Sequence, residues 1–197
     1  MIKIKICGLS SKEAVEQAVE SGADYIGFIL AKSKRQVGIK QASHLAQLIS
    51  ETVQKVGVFV SPTLLELQEA ITKVPLDLVQ IHGEFADENF EKNEVPSIRA
   101  IPVQKTLGEI HTKADFLLFD APLAGSGKTF DWELLKDTKI RKPYFLAGGL
   151  TVDNVGQAIT FFRPYAVDIS SGVETDGKKD LLKIMRLTES VKKRAIL

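Results

Sequence analysis

Along 197 residues, eight short apolar runs alternate with amphipathic stretches, and this alternation constrains the fold more than any other property of the chain. The runs are Ile2–Cys7, Tyr25–Leu30, Lys55–Val60, Leu76–Ile81, Ser97–Ile101, Phe116–Phe119, Pro143–Ala147 and Ala166–Ile169. Each is rich in branched or aromatic residues and bounded by Gly, Asp, Ser or Pro, the pattern of a buried strand. Helical signals fill most of the gaps. Ser10-Ser11-Lys12-Glu13 has capping-box spacing, and Ser61-Pro62 offers an N-cap followed by proline at the first helical position. Thr151 can cap the segment carrying Val155, Ala158 and Ile159, and Asp176-Gly177 opens the last helix, with Leu181, Leu182, Ile184, Met185 and Val191 as its apolar stripe.

Strands alternating with helices imply a parallel α/β sheet with right-handed crossovers. A doubly wound open sheet would satisfy the same alternation. The count of eight favours a compact (β/α)8 TIM barrel, for which 197 residues is near the short limit. The economy falls at Pro102–Lys113, where a proline, a glycine and sparse apolar residues leave the fifth helix short or missing. No linker, low-complexity tract or charge run divides the chain, so residues 1–197 are expected to form a single barrel domain.

Composition narrows the function classes. Lys plus Arg number 26 against 25 Asp plus Glu, a net charge of +1. That balance argues against a nucleic-acid partner and against a polybasic membrane surface. No stretch approaches a membrane span, and Lys3 and Lys5 interrupt any signal-like apolar segment, so a cytoplasmic location is expected. With Cys7 the only cysteine, an internal disulfide is impossible. Charge balance leaves monomer and homodimer equally open.

In a barrel the site is built where strands end and loops begin. Strand one ends in Cys7, strand four in His82, strand six in Asp120, strand seven in Gly148-Gly149 and strand eight in Ser170-Ser171-Gly172. The second loop carries Lys32-Ser33-Lys34-Arg35 and the sixth Gly125-Ser126-Gly127-Lys128. Singly, each has an ordinary reading: a small buried hydrophobe, a turn-capping carboxylate, a turn histidine, a solvated basic loop, tight glycine turns. Jointly they suggest more. Cys7 and Asp120 would face each other across the mouth, one to remove a proton and one to donate it. Gly148, Gly149, Ser171 and Gly172 sit where barrels bind phosphate with backbone N–H groups, Gly127 and Lys128 could close over it, and Arg35 suits a carboxylate.

Strand periodicity adds a supporting pair. Lys3, Lys5 and Cys7 share the face opposite Ile2, Ile4 and Ile6, so Lys5 points into the barrel below Cys7, as Gln80 lies below His82. Strand eight, beside strand one, offers Asp168 to Lys5. The charge of Lys5 is then expected to help lower the thiol pKa of Cys7. The plain alternative is that Lys5 only satisfies buried polar groups. Other motifs fail: Gly127-Lys128-Thr129 ends like a phosphate-binding P-loop, but Pro122 holds the required earlier glycine position. Three histidines and one cysteine lack metal-ligand spacing, and neither metal nor organic cofactor is expected.

The segments Lys5-Ile6-Cys7-Gly8, Val79-Gln80-Ile81-His82-Gly83, Gly125 to Trp132, Leu146-Ala147-Gly148-Gly149-Leu150 and Asp168 to Glu174 resemble, in order and spacing, the phosphoribosylanthranilate isomerase family. The resemblance implies an isomerase of tryptophan biosynthesis performing an Amadori rearrangement on a small phosphorylated substrate. It implies Asp120 as general acid opening the furanose ring and Cys7 as general base taking the C2 proton. It implies Arg35 on the anthranilate carboxylate and loops six to eight on the phosphate. Gln36 stands where the family often has an aromatic residue, and Ala121–Ala124 is shorter than in many members. Two rivals are a neighbouring phosphosugar barrel isomerase, in which an aspartate would replace Cys7, and a non-catalytic barrel that binds a phosphorylated ligand.

Overall fold

The structure is a computed structural model and describes residues 2–122, 129–136 and 138–194. Eight parallel strands close in chain order into a barrel: β1 Lys3–Cys7, β2 Tyr25–Ile29, β3 Gln54–Val60, β4 Leu78–His82, β5 Ser97–Pro102, β6 Phe116–Asp120, β7 Tyr144–Leu146 and β8 Ala166–Ile169. Strand β8 pairs back onto β1, setting Asp168 opposite Lys5 and leaving no unpaired edge. The eight expected strands are all present, with ends displaced by one or two residues. The helices are α1 Lys12–Glu20, α2 Ile39–Ala46, α3 Leu64–Lys73, α4 Asp87–Phe90, α5 Glu133–Lys136, α6 Val155–Phe162 and α7 Leu181–Arg194. The crossover between β5 and β6 has no helix; Leu107 and Ile110 pack against the core in its place, as the sequence led one to expect.

Strand alternation produces two apolar layers. Ile4 and Ile6 face outward to the helices and join Val15, Phe28, Leu67, Phe119 and Val167 in the shell. Tyr25, Val56, Leu78, Ile98, Leu118, Phe145 and Ala166 fill the barrel itself. At the floor the ammonium of Lys3 lies over the rings of Tyr25 and Tyr165, whose hydroxyls are 3.0 Å apart. Three aspartates that immediately precede even-numbered strands repeat one device. Asp24, Asp77 and Asp115 each accept a hydrogen bond from an N–H at the first or second residue of the preceding strand: Ile4, Lys55 and Ser97, all at 2.8 Å.

Four helix starts depart from expectation, three of them with a neighbouring residue in the cap position and the last because a hairpin intervenes. Ser11, not Ser10, caps α1 and accepts from the Ala14 N–H. Thr63 and Glu66 form the reciprocal capping box of α3. Ser61 instead accepts from the Glu84 N–H, tying the third loop to the fourth. Asn154 occupies the N-cap position of α6 and bridges the Thr151 N–H and the Gly149 carbonyl. Asp176 and Gly177, both at positive φ, turn a small hairpin of β9 Glu174–Thr175 and β10 Lys178–Lys179, so α7 begins five residues later than Asp176. Leu181 and Leu182 are consequently exposed, and Ile184, Leu187 and Val191 form the buried stripe.

Candidate active site

The C-terminal ends of the strands and their loops enclose one cleft that brings together Cys7, Arg35, His82, Asp120, Gly148, Gly149, Asp168 and Ser171. Ile29, Val58, Val60 and Leu150 give it an apolar wall, and Lys32, Ser33, Gln80 and Ser170 complete its polar lining. Gly172 lies behind this surface. A side chain there would put its Cβ 1.8 Å from the Leu150 carbonyl oxygen, so the close approach of loops seven and eight requires glycine. Gly127 and Lys128 lie outside the described residues.

The floor of the cleft is an ion pair inside the barrel. Lys5 is fully buried, and its ammonium donates to both carboxylate oxygens of Asp168 at 2.9 and 3.0 Å. Burial works against the ammonium, but Asp168 and the neighbouring Cys7 outweigh it and hold its pKa above the usual lysine value. Room for the pair comes from Gly27 on β2, a residue sequence reasoning passed over. A Cβ there would lie 2.8 Å from the Cys7 sulfur and 3.2 Å from the Lys5 nitrogen. Only the barrel register, with Cys7 beside Gly27, makes that need visible.

Cys7 is 5% exposed. Burial pushes its thiol pKa up, while Lys5 and then Lys179 pull it down; burial prevails. Lys5 does pull the thiol down, as expected, but the net direction is upward, because burial, with the Asp168 charge, penalises the thiolate more. Asp120, across the mouth at the end of β6, accepts from the Ala121 N–H at 2.8 Å. Burial, reinforced by the Asp168 charge, pushes its carboxyl up to about 6. His82 is pushed down to about 4 by burial and by Lys5, so it is a neutral imidazole near pH 7. Its Nε2 is 2.8 Å from the Gln80 amide nitrogen.

Arg35 differs from expectation in already holding a carboxylate. Its Nε and one Nη donate to the two oxygens of Glu174 at 2.5 and 2.9 Å. Lys179 shares the same carboxylate at 3.0 Å and donates to the Ser170 carbonyl at 2.7 Å. Both Glu174 and Lys179 stand on the β9–β10 hairpin and were assigned no role from sequence. Glu174 lies in the motif after strand eight; Lys179 was hidden because Asp176-Gly177 read as a helix start.

Loops seven and eight present a different surface. Gly148 and Gly149 both take positive φ, and a Cβ on Gly148 would come within 2.7 Å of the Ala121 nitrogen. Among the described residues, no carbonyl accepts from the N–H groups of Gly148, Gly149 or Ser171, and a short 3-10 turn, Ser171–Val173, begins beside them. Backbone amides without a carbonyl acceptor beside a cleft suit an anion. Also among the described residues, no group of three or more His, Cys, Asp or Glu side chains could hold a metal ion. The cleft therefore gathers a thiol, a carboxyl, a guanidinium and backbone amides around one cavity.

Comparison with known proteins points to one family. The family profile described as N-(5'-phosphoribosyl)anthranilate (PRA) isomerase matches residues 4–190. The N-(5'-phosphoribosyl)anthranilate isomerase of Streptococcus mutans serotype c is 61% identical over 193 residues, covering 98% of this chain and 100% of the relative. The crystal structure of phosphoribosyl anthranilate isomerase from Thermus thermophilus superposes with a TM-score of 0.89 at 29% identity, covering 98% of this chain and 100% of that one. A phosphoribosyl anthranilate isomerase solved with reduced 1-(o-carboxyphenylamino)-1-deoxyribulose 5-phosphate gives 0.81 at 32% identity, again covering 98% and 100%. Fold, cleft and sequence thus agree: this chain belongs to the N-(5'-phosphoribosyl)anthranilate isomerase family, and it is an isomerase.

Proposed function

We propose that the chain converts N-(5-phosphoribosyl)anthranilate to 1-(2-carboxyphenylamino)-1-deoxyribulose 5-phosphate, with Asp120 as general acid and Cys7 as general base. The observation that carries this reading is that both side chains line one cleft, from strands separated by β7 and β8, with the carboxyl held up to about 6. At pH 7 a group of that pKa is protonated in about one molecule in ten, enough for an acid that must give its proton away readily. Asp120 protonates the ring oxygen, the C1–O bond breaks, and the anthranilate nitrogen lone pair forms a cationic C=N Schiff base. Cys7 removes the proton from C2, and the C–H electrons form the C1=C2 bond of an enolamine while the nitrogen regains its pair. Reprotonation at C1 and loss of the C2 hydroxyl proton give the ketone, with no net change in atoms or electrons.

The raised thiol pKa fits this order of events. The iminium formed by ring opening is an opposite charge beside Cys7, and it favours the thiolate when the C2 proton must leave. Arg35 keeps three N–H donors beyond those given to Glu174, enough to receive the anthranilate carboxylate, and the amides of loops seven and eight receive the phosphate. The test is turnover followed by loss of substrate fluorescence, wild type beside Cys7→Ala and Asp120→Asn. Each variant should lose at least about 10²-fold in kcat. Full activity in either removes that role, and binding of product without wild-type turnover would favour a binding barrel.

A further inference from the structure

Arg35, Glu174 and Lys179 form a buried charge cluster that the chemistry above uses only in part. The side chains of Arg35, Glu174 and Lys179 are 8%, 7% and 7% exposed. Glu174 is the shared anion, and two hydrogen-bonded cations hold its carboxyl below the usual range despite burial. The cluster carries one net positive charge. It also abuts the cysteine's own backbone. A Cβ on Gly8 would lie 2.9 Å from the Arg35 side chain and 3.4 Å from Ser170 Oγ, so both residues close over the peptide that follows Cys7. Lys179 grips that same Ser170 through its carbonyl at 2.7 Å and its hydroxyl at 3.4 Å.

We propose that Glu174 and Lys179 are positioning residues for the isomerisation: Glu174 fixes the Arg35 fork that receives the substrate carboxylate, and Lys179 supplies the second cation that steadies the Cys7 thiolate. This rests on the roles assigned above to Arg35 and Cys7. Two physical facts support it. A guanidinium bound bidentately through Nε and Nη cannot rotate, so its opposite Nη edge is set before ligand arrives. And Lys5, the other lysine near the sulfur, is already neutralised by Asp168, whereas the cluster holding Arg35 and Lys179 keeps an uncompensated charge. The groups facing Cys7 are Lys5 below it and Asp168 beside that, Arg35 and Lys179 from loops two and eight, and Asp120 and His82 across the cleft. Among these, Lys5 and Lys179 are the lysines that pull the thiol down.

The experiment compares wild type with Glu174→Gln, Lys179→Met, Lys179→Gln and Lys179→Arg, reading kcat and KM separately and the pH midpoint of Cys7 alkylation by iodoacetamide. Glu174→Gln should raise KM about tenfold with a smaller change in kcat, since a loosened fork costs binding first. Lys179→Met should move the alkylation midpoint up by about one pH unit and lower kcat, and Lys179→Arg should restore both. Lys179→Gln keeps a donor for the Ser170 carbonyl without the charge and should behave like Lys179→Met. An unmoved midpoint in folded Lys179→Met or Lys179→Gln overturns the electrostatic role, and unchanged KM in Glu174→Gln overturns the fork. Loss of the fold in both neutral variants, with recovery in Lys179→Arg, would make the lysine a structural brace and overturn it as well. Absence of turnover in the wild type, by contrast, would fault the parent assignment and not this cluster.

Discussion

Replacing Asp120 by Asn should make the protein more stable while it destroys turnover, and the gain should depend on pH. The Asp120 carboxyl rises from an ordinary 3.8 to about 6 in the fold, because burial and the Asp168 charge penalise its ionised form. Between those two values the unfolded chain ionises and the folded one resists, so stability falls as pH rises. Above about pH 6 the full penalty is in place, at most about 3 kcal/mol for a shift of this size. Asn removes the ionisation, and its side-chain oxygen can still accept from the Ala121 N–H. For a chain of this length about 3 kcal/mol corresponds to a Tm gain of up to roughly 6–12 °C at pH 7.5. That gain should shrink steadily towards pH 4.5. Thermal unfolding of both proteins across that range, beside the fluorescence assay, measures it. A Tm difference that is flat with pH, or negative at pH 7.5, would refute the reasoning.

Three further outcomes follow from the geometry of the cleft. Lys5→Met strands the Asp168 carboxylate inside the barrel and should cost about 3–5 kcal/mol in denaturant unfolding, far more than the double variant Lys5→Met/Asp168→Leu. Gly27→Ala forces a methyl against the Cys7 sulfur and the Lys5 ammonium. It should destabilise by about 1–3 kcal/mol, and normal stability with normal kcat would show that β2 can yield there. Arg35→Met should raise KM for the anthranilate-bearing substrate by at least about tenfold, while competitive inhibition by inorganic phosphate stays within twofold or so.

The barrel and its floor were legible because both depend on period and order alone. Eight runs close a sheet, closure puts the eighth strand beside the first, and alternation then aims Lys5 and Asp168 at each other. What stayed hidden depends on contacts between loops. Glu174 is 139 residues from Arg35, and nothing in either local sequence names the other. Lys179 reaches Glu174 and Ser170 only because Asp176 and Gly177 turn a hairpin, where the same two residues equally suit a helix start. The cap of α3 slipped for a related reason: Ser61 and Thr63 could both cap, and the fold gave Ser61 another partner in the Glu84 N–H. The Cys7 thiol shows the remaining gap, since the sign of a neighbour's charge is readable from order while the depth of burial that outweighs it is not.

The aspartate clamps carry a consequence for how the barrel comes apart. Each joins an odd strand to the next even one across 20, 22 or 18 residues, so three consecutive strand pairs are stapled within their own local sequence. Among the described residues no such clamp joins β7 to β8, which share two register pairs and the backbone bond from Tyr165 to Tyr144. The last quarter is therefore the part expected to open first, and its amides should exchange with solvent faster than those of Ile4, Lys55 and Ser97. That quarter also bears Gly148, Gly149 and Ser171. A phosphate bridging those loops would supply the staple missing among the described residues, and the barrel would then be finished by the molecule that binds there.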